Sequence, residues 1–571
     1  VVIRAPGISI NPKPYSARNE VHSYGGGAWI VDKGALYFSN FPDGRLYRQG
    51  RNAAQPIPIT LAPPSNERNW RYADGLIDRP RNRWIGVRED HTDPKQAYPE
   101  NTLVAVELSS ADSHSGTILE RGHDFYSSPR LAPDGRRLAW LAWDQPNMPW
   151  IGSTLYVADL DETGKPQGAP AALAGGPKES IFQPEWLPDG SAIVYVSDRS
   201  GWWNLYIYDC GSREAHCIKS MPAEFARAQW MFGMSMYAFA GPDRLVAAYV
   251  KNGLTNLARL DLASGELAQL DVPFTEISSV RANGQGRAVF CGGAPDRPTS
   301  VVRLDLASGA CEVLKQTTEA ATDPAIRRFF TTVKPITFTT GGSRNTAGRK
   351  QAYALYYPPA NPDFAPRRGE RPPLLVRCHG GPTAAASSAL NLAIQYWTSR
   401  GIAVVDVNYG GSTGYGRAYR DRLHRFWGIV DMEDCIGAAK FLAQHRGIDR
   451  RRSVISGGSA GGYTTLAALT FRNYFAGGAS YYGISDISAL AKHTHKFEAH
   501  YLDWLIGRYP KDKELYRARS PLFHAARLSR PVIFFQGDKD PVVPSDQAER
   551  MVQALRRRKI PAGYLLFAGE G

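Results

Sequence analysis

Ser459 stands in the stretch Ser453-Val-Ile-Ser-Gly-Gly-Ser-Ala-Gly-Gly-Tyr463, with Gly457 two residues before it and Gly461 two residues after. That spacing suits nucleophilic chemistry. A serine hydroxyl attacks a carbonyl only when a neighbouring base removes its proton, and the oxyanion that forms needs fixed N–H donors. Presenting the hydroxyl calls for a sharp turn between a strand and a helix, and the flanking glycines let the two elements approach without a side-chain clash. Glycine and serine are common in loops, so the pattern acquires meaning only from its surroundings.

Those surroundings supply a strand and a helix. Val454 and Ile455 are apolar and β-branched, and Tyr463-Thr-Thr-Leu-Ala-Ala-Leu469 continues as a helix packed on a sheet. A second apolar run, Leu374-Leu-Val-Arg-Cys378, ends in His379-Gly-Gly-Pro382, a glycine loop of the type whose backbone N–H groups stabilise an oxyanion. A third, Pro531-Val-Ile-Phe-Phe-Gln536, runs into Gly537-Asp-Lys-Asp-Pro-Val-Val-Pro544. It places carboxylates after a later strand, in the order serine then aspartate of the α/β-hydrolases. Strands near 374–377 and 402–407 alternate with helices such as 432–444, which predicts a mostly parallel sheet covered on both faces. A histidine should complete the set further on, yet none follows His524.

Four motifs together resemble the prolyl oligopeptidase family: Gly457-Gly-Ser-Ala-Gly-Gly462, His379-Gly-Gly-Pro382, Asn408-Tyr-Gly-Gly-Ser-Thr-Gly-Tyr-Gly416 and Gly537-x-x-Asp540-x-x-Val543-Pro544. The acylaminoacyl-peptidase and dipeptidyl-aminopeptidase branch fits best, and the resemblance spans nearly the whole chain. It implies a two-domain enzyme, an N-terminal β-propeller and a C-terminal α/β-hydrolase domain. In that branch a Glu-Gly-His-Gly pattern follows the last strand; this chain ends Phe567-Ala-Gly-Glu-Gly571, so the catalytic histidine is expected just after Gly571.

The resemblance assigns the roles. Ser459 attacks, and Asp540 orients the histidine; Asp538 competes, but the family's aspartate lies four residues before the proline, as Asp540 lies before Pro544. The N–H groups of Ala460 and Gly381 are the expected oxyanion donors, with the Tyr415 hydroxyl as an alternative. Tyr463 and Tyr482, together with Tyr481, are candidates for the apolar wall of the substrate pocket, and core packing explains each equally well. His379 precedes the nucleophile and is expected to make a structural hydrogen bond. Two departures matter: Gly410 stands where relatives commonly carry arginine, and Ser23 stands where aminopeptidase-like relatives often carry glutamate. The implied activity is a serine peptidase hydrolysing short peptides, or releasing N-terminal residues or acylated amino acids, with the propeller gating access. An esterase or amidase for small non-peptide amides and an inactive binding scaffold are the alternatives.

The rest of the chain agrees with two domains. A length of 571 residues exceeds one ordinary domain. Up to about residue 315, strand-length runs alternate with Pro-Asp-Gly or Asp-Gly-like turns at a spacing of roughly 40 to 50 residues. The clearest copies are Ser128-Pro-Arg-Leu-Ala-Pro-Asp-Gly-Arg-Arg-Leu-Ala-Trp140 and Gln183-Pro-Glu-Trp-Leu-Pro-Asp-Gly-Ser-Ala-Ile-Val-Tyr195. Weaker ones centre on 27–48, 71–108, 238–262 and 280–306, the last two sharing Arg-Leu-Asp-Leu-Ala-Ser-Gly. Repeated units of this length build a propeller. The family implies seven blades, with the first incomplete here because the opening Val1 to Arg4 reads as the tail of a blade. The expected division is 1–322 for the propeller and 323–571 for the hydrolase domain, with the turn-rich 341–348 as a hairpin tip.

Other candidates are weaker. His22, Asp124, Tyr126 and Glu185 sit where polar groups could meet a substrate amine, although hairpin capping and blade-to-blade bonds account for them more simply. Trp202 and Trp203 are adjacent, so one of them could line the cleft. His493, His495 and His500 lack a carboxylate at ligand spacing, so neither metal nor cofactor is expected. The net charge of +14 is dispersed among acids, which argues against nucleic acid, and no apolar run is long enough to span a bilayer. Six scattered cysteines suggest free thiols in a reducing cytoplasm. Cys210 and Cys217 flank a hairpin-like turn that could carry a bridge. A short peptide or small amide is the expected partner, and a homo-oligomer is allowed.

Overall fold

The Pro-Asp-Gly turns close as their side chains dictate. Strands Phe125–Leu131 and Arg137–Trp143 are joined where Gly135 N donates to Ala132 O (2.8 Å) and Asp134 Oδ1 takes the Arg136 N–H (2.9 Å). The copy joins Ile181–Trp186 to Ala192–Ser197 through the same pair, Gly190 N to Leu187 O (2.9 Å) and Ser191 N to Asp189 Oδ1 (2.9 Å). Gly135 and Gly190 have φ of 71° and 75°, a region that a Cβ makes costly. The duplicated Arg-Leu-Asp-Leu-Ala-Ser-Gly segments likewise end in matching turns, with Asp261 and Asp305 each accepting a serine N–H at 2.9 Å.

The computed structural model describes residues 3–4, 8–62, 69–93, 95–109, 115–341 and 349–570. Six four-stranded antiparallel sheets form the blades, at 29–58, 70–120, 125–176, 181–219, 237–270 and 276–316. They are the six units visible in the repeat. The resemblance implied seven blades, but the described residues hold six; Ile3–Arg4 pairs only with Ile8–Ser9, in a separate two-stranded sheet. The first strands of neighbouring blades meet one another. In four of them the ladder slips by a bulge, and the bulged residue is left-handed without being glycine: Asp74, Ser128, Gln183 and Ser279, at φ of 48° to 57°. Bonds to the next blade hold these conformations. Asp74 Oδ2 takes the Ser128 N–H (2.6 Å), and Gln183 grips the Met236 N–H and Tyr237 C=O (2.7 Å each).

Past the last blade the chain builds one eight-stranded sheet. Its strands are β1 (Lys334–Gly341), β2 (Arg349–Tyr357), β3 (Leu374–Cys378), β4 (Ala403–Asn408), β5 (Ser453–Gly458), β6 (Gly478–Tyr481), β7 (Val532–Gly537) and β8 (Ala562–Phe567), in the order 1-2-4-3-5-6-7-8. β1, β2 and β4 pair antiparallel; the remaining neighbours are parallel. The predicted hairpin tip between β1 and β2 falls on 342–348, outside the described residues. Every residue of β4 is buried, as a strand covered by helices on both faces requires. Those helices include α1 (Val430–His445), α2 (Ala460–Phe471) and α3 (Asp546–Arg557). All six cysteines are free, so the hairpin 204–219 carries no bridge between Cys210 and Cys217.

Candidate active site

β5 runs straight into α2, and Ser459 is the residue between them, at φ 54° and ψ −120°. This strained turn is fixed on both sides: Ser459 N donates to Tyr481 O (3.0 Å), and Tyr463 N donates to Ser459 O (3.0 Å). The glycine requirement is visible in the contacts. A Cβ on Gly457 would lie 2.4 Å from Gly461 O, and one on Gly461 would lie 2.2 Å from Cys378 O. Any side chain at either position would push strand, helix and the end of β3 apart.

The glycine loop after β3 lies against this turn, with the Cβ position of Gly380 3.7 Å from Ser459 Cβ. Among the described residues, the N–H groups of Gly381 and of Ala460, the first residue of α2, have no hydrogen-bond partner. Gly381 holds φ 120°. His379 secures the loop: its Nδ1 donates to Gly380 O (2.8 Å), its Nε2 lies 2.7 Å from Ser412 Oγ, and its ring stacks on Tyr409 at 4.2 Å. Burial holds its pKa below the ordinary histidine value, so it stays neutral. The loop is also tied to the propeller, because Trp230 Nε1 donates to Thr383 O (2.8 Å).

Asp540 lies in the loop after β7, where its Oδ1 takes the N–H groups of Val542 and Val543 (2.9 Å each). Asp538 faces elsewhere and accepts the Gly569 N–H (2.7 Å). Lys539 N donates to Glu570 O (2.8 Å), so the segment following β8 runs beside the Asp540 loop.

One pocket joins these parts, lined by Ser459, Ala460, Gly381, Val542 and Val543. Trp427, Ile484, Leu490, Leu502 and Leu505 make much of the remaining wall apolar, and four polar side chains break it, Thr494, Glu498, Tyr501 and the propeller's Tyr24. None of the four was singled out from sequence. Tyr24 Oη donates to Glu498 Oε1, and burial pushes the Glu498 carboxyl up to about 7. Glu498 belongs to a short segment that plugs into the propeller. Lys496 Nζ donates to the carbonyls of Pro99 and Asp124 (2.9 Å each), and Gln145 Nε2 donates to Lys496 O (2.9 Å). The Phe497 ring sits among His22, Phe125, Trp143, Trp150 and Trp230.

The remaining candidates are spread out. Tyr415 stacks on Tyr353 at 4.2 Å and takes a hydrogen bond from Asn408 Nδ2 (2.9 Å); it does not line the Ser459 pocket. Tyr463 is fully buried behind the wall, packed on Trp427 with its hydroxyl on Arg519 O (3.1 Å). Tyr482 is half-exposed and covers Gly458. Asp124 takes the Gln145 N–H (3.0 Å), Tyr126 takes the His123 N–H (3.0 Å), and Glu185 pairs with Arg130 (2.9 Å), all within or between blades. Trp202 and Trp203 precede their strand and both meet the hydrolase domain, at Gly416 and at Arg420. His493 is exposed, His495 is half-buried beside Tyr24, and His500 pairs with Asp503 (2.9 Å).

His22 makes the domain contact pH-sensitive. It is buried against Phe497, and desolvation, reinforced by Lys496 and opposed by Glu89 and Asn101, lowers its pKa from 6.5 to about 3. The unfolded chain therefore binds a proton below pH 6.5 that the folded chain refuses. Stability falls as pH drops from 6.5 towards about 3, by about 2 kcal/mol at pH 5. Denaturation midpoints followed from pH 7 to 5 should show this slope, and His22→Asn, which tolerates the positive φ, should remove about one proton's worth of it. Equal slopes for both proteins would refute the assignment.

Comparison with known proteins fits this geometry. A Mycobacterium tuberculosis puromycin-hydrolyzing peptidase superimposes with a TM-score of 0.92 at 38% identity, covering 100% of this chain and 86% of that one. A puromycin hydrolase mutant complexed with PGG matches at 37% identity and a TM-score of 0.89, covering 98% of this chain and 85% of its own. Dipeptidyl aminopeptidase BIII of Pseudoxanthomonas mexicana is 33% identical over 205 residues, 35% of this chain and 30% of that protein. The chain thus spans under a third of the length of this curated relative. No helix among the described residues is long and apolar enough to cross a membrane. The model of the prolyl oligopeptidase family matches residues 388–571, the stretch that carries Ser459 and Asp540, and with the full-length likeness in structure this places the chain in the prolyl oligopeptidase family.

Proposed function

We propose that the chain is a serine peptidase for short peptides, divided into a gating propeller at 1–322 and a catalytic domain at 323–571. Ser459 Oγ attacks the scissile carbonyl carbon while its proton passes to a histidine supplied by the segment after Glu570, beside Asp540. Asp540 holds that histidine in the required tautomer. The N–H groups of Ala460 and Gly381 receive the oxyanion. The C–N bond then breaks, the histidine returns the proton to the leaving amine, and water releases the acyl group by the same steps in reverse order.

The observation that carries this reading is the strained left-handed Ser459 with two N–H groups beside it that have no partner among the described residues, at a largely apolar pocket. Such strain persists only where the surroundings enforce it. The propeller's part rests on Tyr24, which brings it to the pocket wall.

Full-length protein treated with a fluorophosphonate is expected to carry one label, on Ser459, that heat-denatured protein does not take up. Absence of label on the folded protein, with a control hydrolase labelled, would overturn the catalytic reading. A panel of free-amine, acylated and dipeptidyl p-nitroanilides, with puromycin added because of the named relatives, then orders the substrates.

A further inference from the structure

The pocket wall beside Ser459 includes the Trp427 ring, which its own hydrogen bonds hold poorly. The indole Nε1 has no partner among the described residues, the Trp427 N–H reaches Leu505 O at 3.4 Å, and its carbonyl takes Arg519 Nη1 at 3.3 Å. The short bonds lie one step behind. Asp431, in the first turn of α1, takes the Gly428 N–H on Oδ1 (2.6 Å) and the Thr464 hydroxyl on Oδ2 (2.5 Å). Thr464 stands on α2, so one carboxylate joins the wall to the helix that follows the nucleophile. Gly428 leaves no slack at this joint: a Cβ there would lie 1.9 Å from Tyr463 Oη, and the Trp427 ring packs on Tyr463 at 4.4 Å. Asp431, Thr464 and Trp427 are all buried. The groups facing Asp431 are the Tyr409 and Tyr463 hydroxyls, the Cys435 thiol and the Arg519 guanidinium, and none of these four forms a hydrogen bond or ion pair with it. A buried carboxylate without a paired cation is costly, and burial pushes Asp431 up to about 6. A neutral side chain of the same shape would avoid that cost, so the charge is kept against stability, at the joint between wall and nucleophile.

We propose that Asp431 is a positioning residue of this pocket, which fixes Trp427 relative to Ser459 and thereby sets how strictly the site selects the side chain next to the scissile carbonyl. The proposal rests on the reading of Ser459 as nucleophile, because the wall selects only what that hydroxyl attacks. The same bonds define a second state. Ionised Asp431 accepts two charge-assisted hydrogen bonds. A proton on Oδ2 reverses one of them: the carboxyl donates to Thr464 Oγ1, and Thr464 turns its own proton to Ala460 O, 3.1 Å away. Both bonds then join neutral groups, and the hold on Gly428 weakens. Burial pushes the Tyr409, Tyr463 and Cys435 groups further from neutral pH, and Arg519 stays cationic, so of this set Asp431 alone changes charge between pH 8 and pH 5. Selectivity is thus set from behind the wall, and it falls as pH drops through about 6.

The test compares kcat/KM for leucine and glycine p-nitroanilides with full-length protein, both carrying whichever amino end the enzyme cleaves. The wild type at pH 8 is expected to favour leucine by about 100-fold, and the ratio to fall about tenfold by pH 5 with a midpoint near 6. Any group that acts on both substrates alike, the catalytic histidine included, cancels from the ratio. Asp431→Asn keeps the shape and reproduces the neutral arrangement at every pH, so it should show the low ratio at pH 8 and no pH dependence. The loss should sit in KM for leucine, with kcat for glycine unchanged within about twofold. Thr464→Val should lower the ratio at pH 8 as well. A merely structural Asp431 would depress both substrates together and leave the ratio and its pH dependence alone, which overturns the proposal; so does a wild type whose ratio is flat from pH 8 to 5 or that treats the two substrates alike. Should Asp431→Asn fail to fold, the wild-type pH dependence and Thr464→Val decide by the same criteria. A wild type that takes no fluorophosphonate label refutes the nucleophile instead, and calorimetry with leucine amide and glycine amide at pH 8 and pH 5 then reads the wall: a binding ratio that does not fall overturns the role of Asp431.

Discussion

Ser459→Ala will remove amide hydrolysis, by about 10⁶-fold in kcat, and leave the fold as stable as before within about 0.5 kcal/mol. The asymmetry follows from the turn. Serine and alanine pay the same penalty for φ 54° and ψ −120°, because the strain comes from the Cβ and not from the hydroxyl. The bonds that hold the turn, to Tyr481 and Tyr463, are made by backbone groups that both residues possess. Ser459→Gly separates the two quantities further. It should be equally inactive and more stable by roughly 1 to 3 kcal/mol, since glycine alone relieves the strain. Initial rates with the best p-nitroanilide and urea denaturation curves supply both readings. Retention of more than a thousandth of the wild-type rate by Ser459→Ala would remove Ser459 from the mechanism.

Arg420→Ala should destabilise the protein by about 3 to 5 kcal/mol without touching the pocket. Arg420 is 1% exposed and bridges two propeller carboxylates, donating Nη2 to Asp198 with Nη1 3.5 Å from Glu224. Its guanidinium lies 4.0 Å from the centre of the Trp203 ring. Both carboxylates are buried and hold other hydrolase groups: Asp198 takes Arg417 (2.6 Å), and Glu224 takes the N–H groups of Gly414 and Gly416. Removing the arginine strips the shared cation from two buried anions and opens a cavity over an indole. Glu224, already pushed up to about 7 by burial, would then take up a proton more readily still. Differential scanning calorimetry should show the transition lowered, and a change of under 1 kcal/mol would mean that the cluster holds no weight.

The parts that sequence reveals are those dictated by close approach of backbones. Gly457 and Gly461 are glycines because Cβ atoms there would strike main-chain carbonyls, and Gly135 and Gly190 because their turns need positive φ. Such demands are local, so they leave a local pattern. Glu498 left none. It ends a single 3-10 turn, Lys496–Glu498, and its meaning comes from Tyr24, 474 residues away in the chain. Tyr415 and Tyr463 show the converse, since aromatic residues near a motif satisfy a core as readily as a pocket, and burial behind Trp427 took one while stacking on Tyr353 took the other. The count of seven blades came from the resemblance and not from the repeat, whose six visible units are the six sheets.

The bulged left-handed positions on the first strands carry a consequence for how this propeller can change over generations. At Asp74, Ser128, Gln183 and Ser279 the backbone is the same and the side chain is not. Asp74 and Gln183 make the bonds to the next blade with their own side chains, whereas Ser128 is gripped through its backbone N–H. Selection therefore acts on residue identity at Asp74 and Gln183 and only on the backbone at Ser128, so that equivalent positions of one repeat can drift at different rates.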